Sequence, residues 1–308
     1  MQTRLLLLIV VALSACTPKI VSGGTSLRTL NYDGLLRSYH LHVPDMLPAD
    51  KAAPLVFVFH GSGGNGYGME SFSKFSQIAD REGFIVVYPD AEAKNWNDGR
   101  ECPHIRSQAD KVDDVGFVGA LITVVSKLHK IDAKRIYATG FSNGGILAHY
   151  LGAQMADRFA AVAPVSGGIA EPFSPRFKPS EPVSVFIIHG SADPMVPYAG
   201  GEVDYHDNGR IISMGDAVKM WTERNGITAK PETGMPDDVD VKDQCRVQWT
   251  RWSKGKAGTE ILLYNIEGAG HTWPGGPQFL PASIIGYVCR DFDAAEVIWD
   301  FFKKHPKP

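Results

Sequence analysis

Short, continuous apolar runs punctuate the chain at 54–59, 84–88, 135–139, 161–165 and 183–188. Each has the length of a strand, and an unbroken apolar run is what a strand covered on both faces requires. A stretch at 37–43 alternates instead, which predicts a strand with one face turned outward. Between these runs the apolar positions recur at helical spacing over 69–81, 112–129, 146–155 and 213–225. Strands alternating with helices imply an α/β fold with a mostly parallel central sheet flanked by helices. Further on, 245–252 and 260–266 read as two more strands and 294–303 as a closing helix. No internal repeat is visible. The proline-rich 171–182 and the acidic 228–244 read as irregular.

The N-terminus follows a different pattern. Arg4 precedes an apolar run at 5–13, which ends in Ser14-Ala15-Cys16. A basic residue, a short apolar run and small residues form a secretory signal. The run is too short to cross a hydrocarbon core of roughly 30 Å as a helix. Leu13-Ser14-Ala15-Cys16 resembles the bacterial lipobox, which would make Cys16 a lipidated residue and the first of the mature chain. Thr17 stands where inner-membrane retention is associated with aspartate. The expected division is therefore a signal at 1–15, a polar linker at 16–30 and one catalytic domain at 31–308. The expected location is across the inner membrane, anchored by lipid to the outer membrane or cell surface, or otherwise periplasmic or extracellular.

At 308 residues and 44% hydrophobic, the chain can bury a full core. Its net charge of −3, with charges interspersed, offers no basic field for nucleic acid. Beyond Cys16 there remain Cys102, Cys245 and Cys289, so at most one internal disulfide can form, and the sequence does not choose the pair. None lies at C-x-x-C spacing, and no metal site is expected. The oligomeric state is left open.

Candidate chemistry centres on Gly140-Phe141-Ser142-Asn143-Gly144, which joins a predicted strand directly to a predicted helix. A sharp strand-to-helix turn exposes its central residue and leaves no room for side chains two positions away, which suits Ser142 between two glycines. A serine hydroxyl needs a histidine to take its proton and a carboxylate to orient that histidine. His206, His271 and His305 lie far enough downstream. His305 sits in a charged tail and His206 in a polar loop, whereas His271 follows a strand on the glycine-rich loop 268–276. Asp193 turns directly off the apolar run 183–188, and functional groups gather at the carboxyl ends of parallel strands. An anionic intermediate needs two preorganised N–H donors. Asn143 N–H is one candidate, and Ser62 or Gly63 N–H in His60-Gly61-Ser62-Gly63-Gly64 is the other. The same loop satisfies G-x-G-x-x-G through Gly61, Gly63 and Gly66, with Asp90 after the next strand. A nicotinamide dehydrogenase would use those residues, but it leaves Ser142, Asp193 and His271 without a task. The segment at 171–182 is too short for a lid domain, so an open site is expected.

These motifs, together with Trp96-Asn97, the 112–117 stretch Val-Asp-Asp-Val-Gly-Phe, Val196-Pro197-Tyr198 and Gly270-His271-Thr272-Trp273-Pro274, resemble the polyhydroxybutyrate depolymerase and feruloyl esterase family of secreted α/β-hydrolases. The resemblance runs from about Tyr39 to Phe302. It implies cofactor-free ester hydrolysis with Ser142, Asp193 and His271 as the triad. The substrate would be a hydroxyalkanoate oligomer, a feruloylated or acetylated glycan, or a small ester. Trp96, Asn97 and Trp273 are pocket candidates from their position on loops beside the expected site. Asp113 and Asp114 are expected to serve the N-terminus of the following helix. A binding protein that kept the fold without the chemistry is the non-enzymatic alternative.

Overall fold

The computed structural model describes residues 24–47, 51–203 and 208–308. The signal, Cys16 and His206 lie outside the described residues. The strands are β1 (Gly24–Tyr32), β2 (Leu35–Val43), β3 (Ala53–Phe59), β4 (Ile85–Pro89), β5 (Ile131–Phe141), β6 (Ala161–Val165), β7 (Ser184–Gly190), β8 (Gly201–Glu202), β9 (Arg210–Ile211), β10 (Glu232–Gly234), β11 (Arg246–Trp252) and β12 (Ile261–Glu267). The helices are α1 (Gly66–Ser73), α2 (Phe75–Glu82), α3 (Arg106–Ala109), α4 (Asp114–Leu128), α5 (Asn143–Gln154), α6 (Met214–Asn225), α7 (Ala282–Ile285) and α8 (Ala294–Phe302).

Ten strands form one sheet in the order β1-β2-β4-β3-β5-β6-β7-β12-β11-β10. The central strands from β4 to β12 pair in parallel. Antiparallel strands extend both edges. Alternation along β3 shows how the two cores are built. Phe57 and Phe59 face Val118, Leu121, Leu147 and Trp221 on one side, while Val56 and Val58 join Phe75, Ile298 and Phe302 on the other. The carboxyl ends of β3, β5, β7 and β12 lead into residues 60–65, 142, 193 and 271, so one edge of the sheet collects the candidate chemistry.

The structure departs from expectation in three places. The segment assigned to a linker at 16–30 is strand from Gly24 onward, paired with β2 along its whole length. Asp33 (φ 49°) and Gly34 (φ 76°) both take the left-handed conformation of a tight hairpin turn, the Asp-Gly signal that nucleates this pairing. The helix expected at 69–81 divides into α1 and α2 at Lys74, whose φ of 60° interrupts the helix. The acidic 228–244 contributes the short edge strand β10, whose Gly234 leaves no space for a side chain against the Trp249 ring. Residues 171–176 form a 3₁₀ turn, with no lid domain between β6 and β7. Among the described residues, no helix is long and apolar enough to cross a membrane.

Candidate active site

The Ser142 backbone adopts φ 57° and ψ −121°, a conformation non-glycine residues avoid. Strain of this kind costs about 1–3 kcal/mol and persists only where the surroundings enforce it. They do so here. Ser142 N–H donates to Val165 O (3.0 Å) and Ser142 O accepts from Ile146 N–H (2.9 Å). A Cβ on Gly140 would lie 2.5 Å from Gly144 O, and one on Gly144 would lie 2.4 Å from Phe59 O. Both glycines are therefore required by backbone contact, and Ser142 is pushed out of the turn with its side chain partly exposed.

Asp193 and His271 meet from two different strands. His271 Nδ1 donates to Asp193 Oδ2 at 2.8 Å, which leaves Nε2 as the basic ring nitrogen. Asp193 Oδ1 accepts from Met195 and Val196 N–H, each at 2.8 Å. Burial alone would push the Asp193 carboxyl up. The adjoining His271 and His189 rings and the Val196 N–H outweigh it and hold the group below its usual value. His189 is itself kept low by burial, so its neutral ring donates from Nε2 to Val196 O (2.8 Å). The His271 loop is strapped by the 285–287 segment: Gly270 N–H donates to Tyr287 O (3.0 Å) and His271 N–H to Ile285 O (2.6 Å). The His271 ring lies 4.8 Å from that of Phe141, Ser142's neighbour in the chain. His305, by contrast, donates from Nδ1 to Phe301 O at the end of α8.

The 60–65 loop adjoins the serine: a Cβ on Gly61 would lie 3.2 Å from Ser142 Cβ. His60 shapes this loop. Ala91 N–H donates to His60 Nε2 (3.1 Å), which puts the ring proton on Nδ1, where it is donated to Gly61 O (2.7 Å). Burial holds this ring below its usual pKa and so in the neutral form both bonds need. The structure separates the two oxyanion candidates in the loop. Gly63 N–H is already donated to Lys94 O at 2.9 Å, so it is not available to a substrate. Ser62 N–H and Asn143 N–H donate to no protein acceptor among the described residues. The dehydrogenase reading loses its acid as well, because Asp90 accepts from Gly66 N–H (2.7 Å) and Ser38 Oγ (2.6 Å).

Trp96, Asn97 and Trp273 do not line the cleft. Trp96 is fully buried, packs edge-on against Phe59, and donates from Nε1 to His60 O (2.9 Å). Asn97 is half-buried and tied down by Asp114 Oδ2 (2.7 Å) and Val112 O (2.9 Å). Trp273 is buried behind Phe72 and Phe75. The cleft beside the loop, about 240 Å³, is lined instead by Met69, Phe72, Phe141 and Phe279 together with residues of the loop itself. Asp113 caps α4 through Gly116 N–H (2.8 Å), as expected. Asp114 does more than serve the helix end: it is buried against Arg37 (2.7 Å), and burial, against the pull of Arg37, pushes its carboxyl up to about 6.

Sequence reasoning missed a buried polar network behind the serine. The Asn143 side chain accepts from Trp96 N–H (2.8 Å) and donates to Asp98 Oδ2 (2.6 Å). Asp98 is fully buried and also accepts from Arg100 Nε (2.9 Å) and Gln108 Nε2 (3.0 Å). Nothing in a loop reading marks Asp98 as buried, because its partners are brought together only by the fold.

Comparison with known proteins agrees with this architecture. The family profile described as esterase PHB depolymerase matches residues 37–175. The chain is 31% identical over 237 residues to feruloyl esterase B of Piromyces equi, covering 74% of this chain and 41% of that protein. It is 30% identical over 213 residues to the protein named "Probable feruloyl esterase C" of Aspergillus clavatus, covering 62% of this chain and 70% of that one. Among solved structures, an acetyl xylan esterase from Aspergillus awamori superposes with a TM-score of 0.57 at 18% identity, over 80% of this chain and 94% of that one. The fold is that of the α/β-hydrolases. Within it, the chain belongs to the polyhydroxybutyrate depolymerase and feruloyl esterase family, whose members are carboxylic ester hydrolases.

Proposed function

We propose that this esterase works through an acyl-enzyme on Ser142. His271 Nε2 takes the Ser142 proton as Oγ attacks the ester carbonyl, and returns it to the departing alcohol. Water then repeats the sequence and releases the acid. Asp193 fixes the His271 tautomer and balances the imidazolium that forms. Ser62 and Asn143 N–H would hold the anionic oxygen, and the reaction calls for no cofactor. The observation that carries this reading is the 2.8 Å bond from His271 Nδ1 to a buried Asp193, with the ring set against Phe141 beside the strained serine.

For the acyl group, the three phenylalanines on the cleft wall favour a flat aromatic acid over acetate, which would leave most of about 240 Å³ unfilled. The test is a panel of methyl ferulate, methyl acetate and a 3-hydroxybutyrate oligomer with purified enzyme and with Ser142→Ala. The reading expects the highest kcat/KM on the ferulate and a loss of about 10⁴-fold or more in the variant on every ester. Near-normal turnover by the variant would overturn the mechanism, and preference for acetate would overturn only the acyl assignment.

The Leu13-Ser14-Ala15-Cys16 sequence supports export and lipid anchoring through Cys16. Incorporation of an alkyne-tagged fatty acid in a bacterial host, lost in Cys16→Ser, tests it.

A further inference from the structure

Cys245 and Cys289 are buried thiols that the fold brings together from the start of β11 and the segment before α8. Both converge on Asp243. The Cys245 thiol donates to Asp243 O (3.4 Å), while Cys289 Sγ lies with the Asp243 and Asp291 carboxylates in one cluster spanning under 4.8 Å. The Cys289 thiol is near enough to Cys245 to push that thiol above its usual value. Backbone bonds clamp the surrounding chain in place: Asp243 Oδ1 accepts from Cys245 N–H (2.8 Å) and Oδ2 from Arg290 N–H (2.6 Å). Asp291 Oδ1 accepts from Val239 (2.8 Å) and Asp240 (3.0 Å) N–H. The carboxylates thus already serve as turn caps, which argues against the metal site that their clustering with a thiol would otherwise suggest.

We propose that Cys245 and Cys289 form a structural disulfide. In the sheet, β11 is the antiparallel neighbour of β12, whose end carries the His271 loop. On the other side, Cys289 O accepts from Gly275 N–H (2.9 Å) and Tyr287 O from Gly270 N–H (3.0 Å), so the 285–289 segment is the strap that holds that loop. A bond between the two sulfurs joins this strap to the sheet covalently and braces the loop from which His271 projects. The neighbouring Cys289 thiol and burial hold Cys245 well above the usual thiol value, so the folded protein presents almost no thiolate at Cys245. The bond therefore forms while the chain folds. A low-molecular-weight disulfide such as oxidised glutathione is attacked by one cysteine thiolate, which releases one thiol. The second cysteine then attacks the mixed disulfide and releases the other, so two protons and two electrons leave the protein. Once buried, the bond is shielded from reductants. Cys102 lies in a different part of the fold, before α3.

The test is refolding of the full chain in a glutathione redox buffer, followed by alkylation under denaturing conditions and peptide mass spectrometry. The proposal expects a peptide pair linked through Cys245 and Cys289, lighter by two hydrogens than the reduced pair, with Cys102 alkylated. Alkylation of both Cys245 and Cys289 in oxidatively refolded, active enzyme would overturn it, as would a link from either to Cys102. A second measurement separates a bond from mere proximity. Dithiothreitol present during refolding should lower the melting temperature of the wild type but not of Cys245→Ala/Cys289→Ala, and an equal shift in both would count against the bond.

Discussion

The serine half and the histidine half of the site are held by different kinds of interaction. Around Ser142 the constraint is backbone against backbone: β5, α5 and the end of β3 approach so closely that Gly140 and Gly144 have no room for a methyl group. Behind them Asn143, Trp96, Asp98 and Gln108 are joined by side-chain hydrogen bonds in the buried interior. The acid and the histidine, in contrast, sit on loops leaving β7 and β12 and are fixed by a few hydrogen bonds each. The family profile matches only the first half, at 37–175, within which Ser142 and the 60–65 loop fall. In the proposed mechanism a strained nucleophile calls for over-determined surroundings, whereas a histidine that carries a proton in and out suits a loop held by a strap.

The contrast can be broken most severely at Gly144. Gly144→Val forces a side chain into Phe59 O and His60 O, both backbone atoms that cannot give way. A loss of about 4 kcal/mol or more is expected, seen as loss of soluble, cooperatively melting protein. In the other half Asp193→Asn should fold and lose about 10⁴-fold in kcat, because the amide favours the wrong His271 tautomer. Circular dichroism beside ester kinetics distinguishes the two outcomes.

The sign of the pH effect follows from Asp193. Its folded carboxyl is held below an ordinary value of about 3.9, so its bonds contribute stability that is fully present above that value. The contribution is lost as pH falls through the lowered folded value. Denaturant melts of wild type and Asp193→Asn should therefore differ by a constant amount at pH 5–7 and converge below about pH 4.

Two smaller effects sharpen the comparison. Asn143→Ala keeps the backbone N–H but leaves Trp96 N–H without its acceptor and removes one of the donors to Asp98, at a cost of about 1–3 kcal/mol measured by urea melts. Phe279→Ala should raise KM for an ester of an aromatic acid several-fold with kcat nearly unchanged, since the ring lines the cleft and touches none of the reacting groups.

Much of this architecture is legible in the chain itself. Continuous apolar runs mark β3 to β7, because strands covered on both faces have no polar positions to confuse the reading. The candidates Ser142 and Asp193 are picked out because each follows such a strand, and His271 because it stands on a glycine-rich loop after β12. The edges are less so. β1 alternates exposed and half-buried positions within a Ser/Thr-rich stretch, and only the Asp33-Gly34 turn marks it as half of a hairpin. The pocket tryptophans fail for a related reason. A loop position does not say which way the ring turns, and Trp96 and Trp273 both turn inward. Gly63 fails because its rival acceptor, Lys94 O, comes from a loop thirty residues on.

The central claim is that Ser142 is an activated nucleophile. Reaction of the folded protein with a fluorophosphonate, read by intact mass and then by peptide mapping, tests it most directly. The account predicts one phosphonyl group per chain, located on Ser142 and absent in Ser142→Ala. Folded protein that does not react, or that reacts equally in the variant, would contradict it.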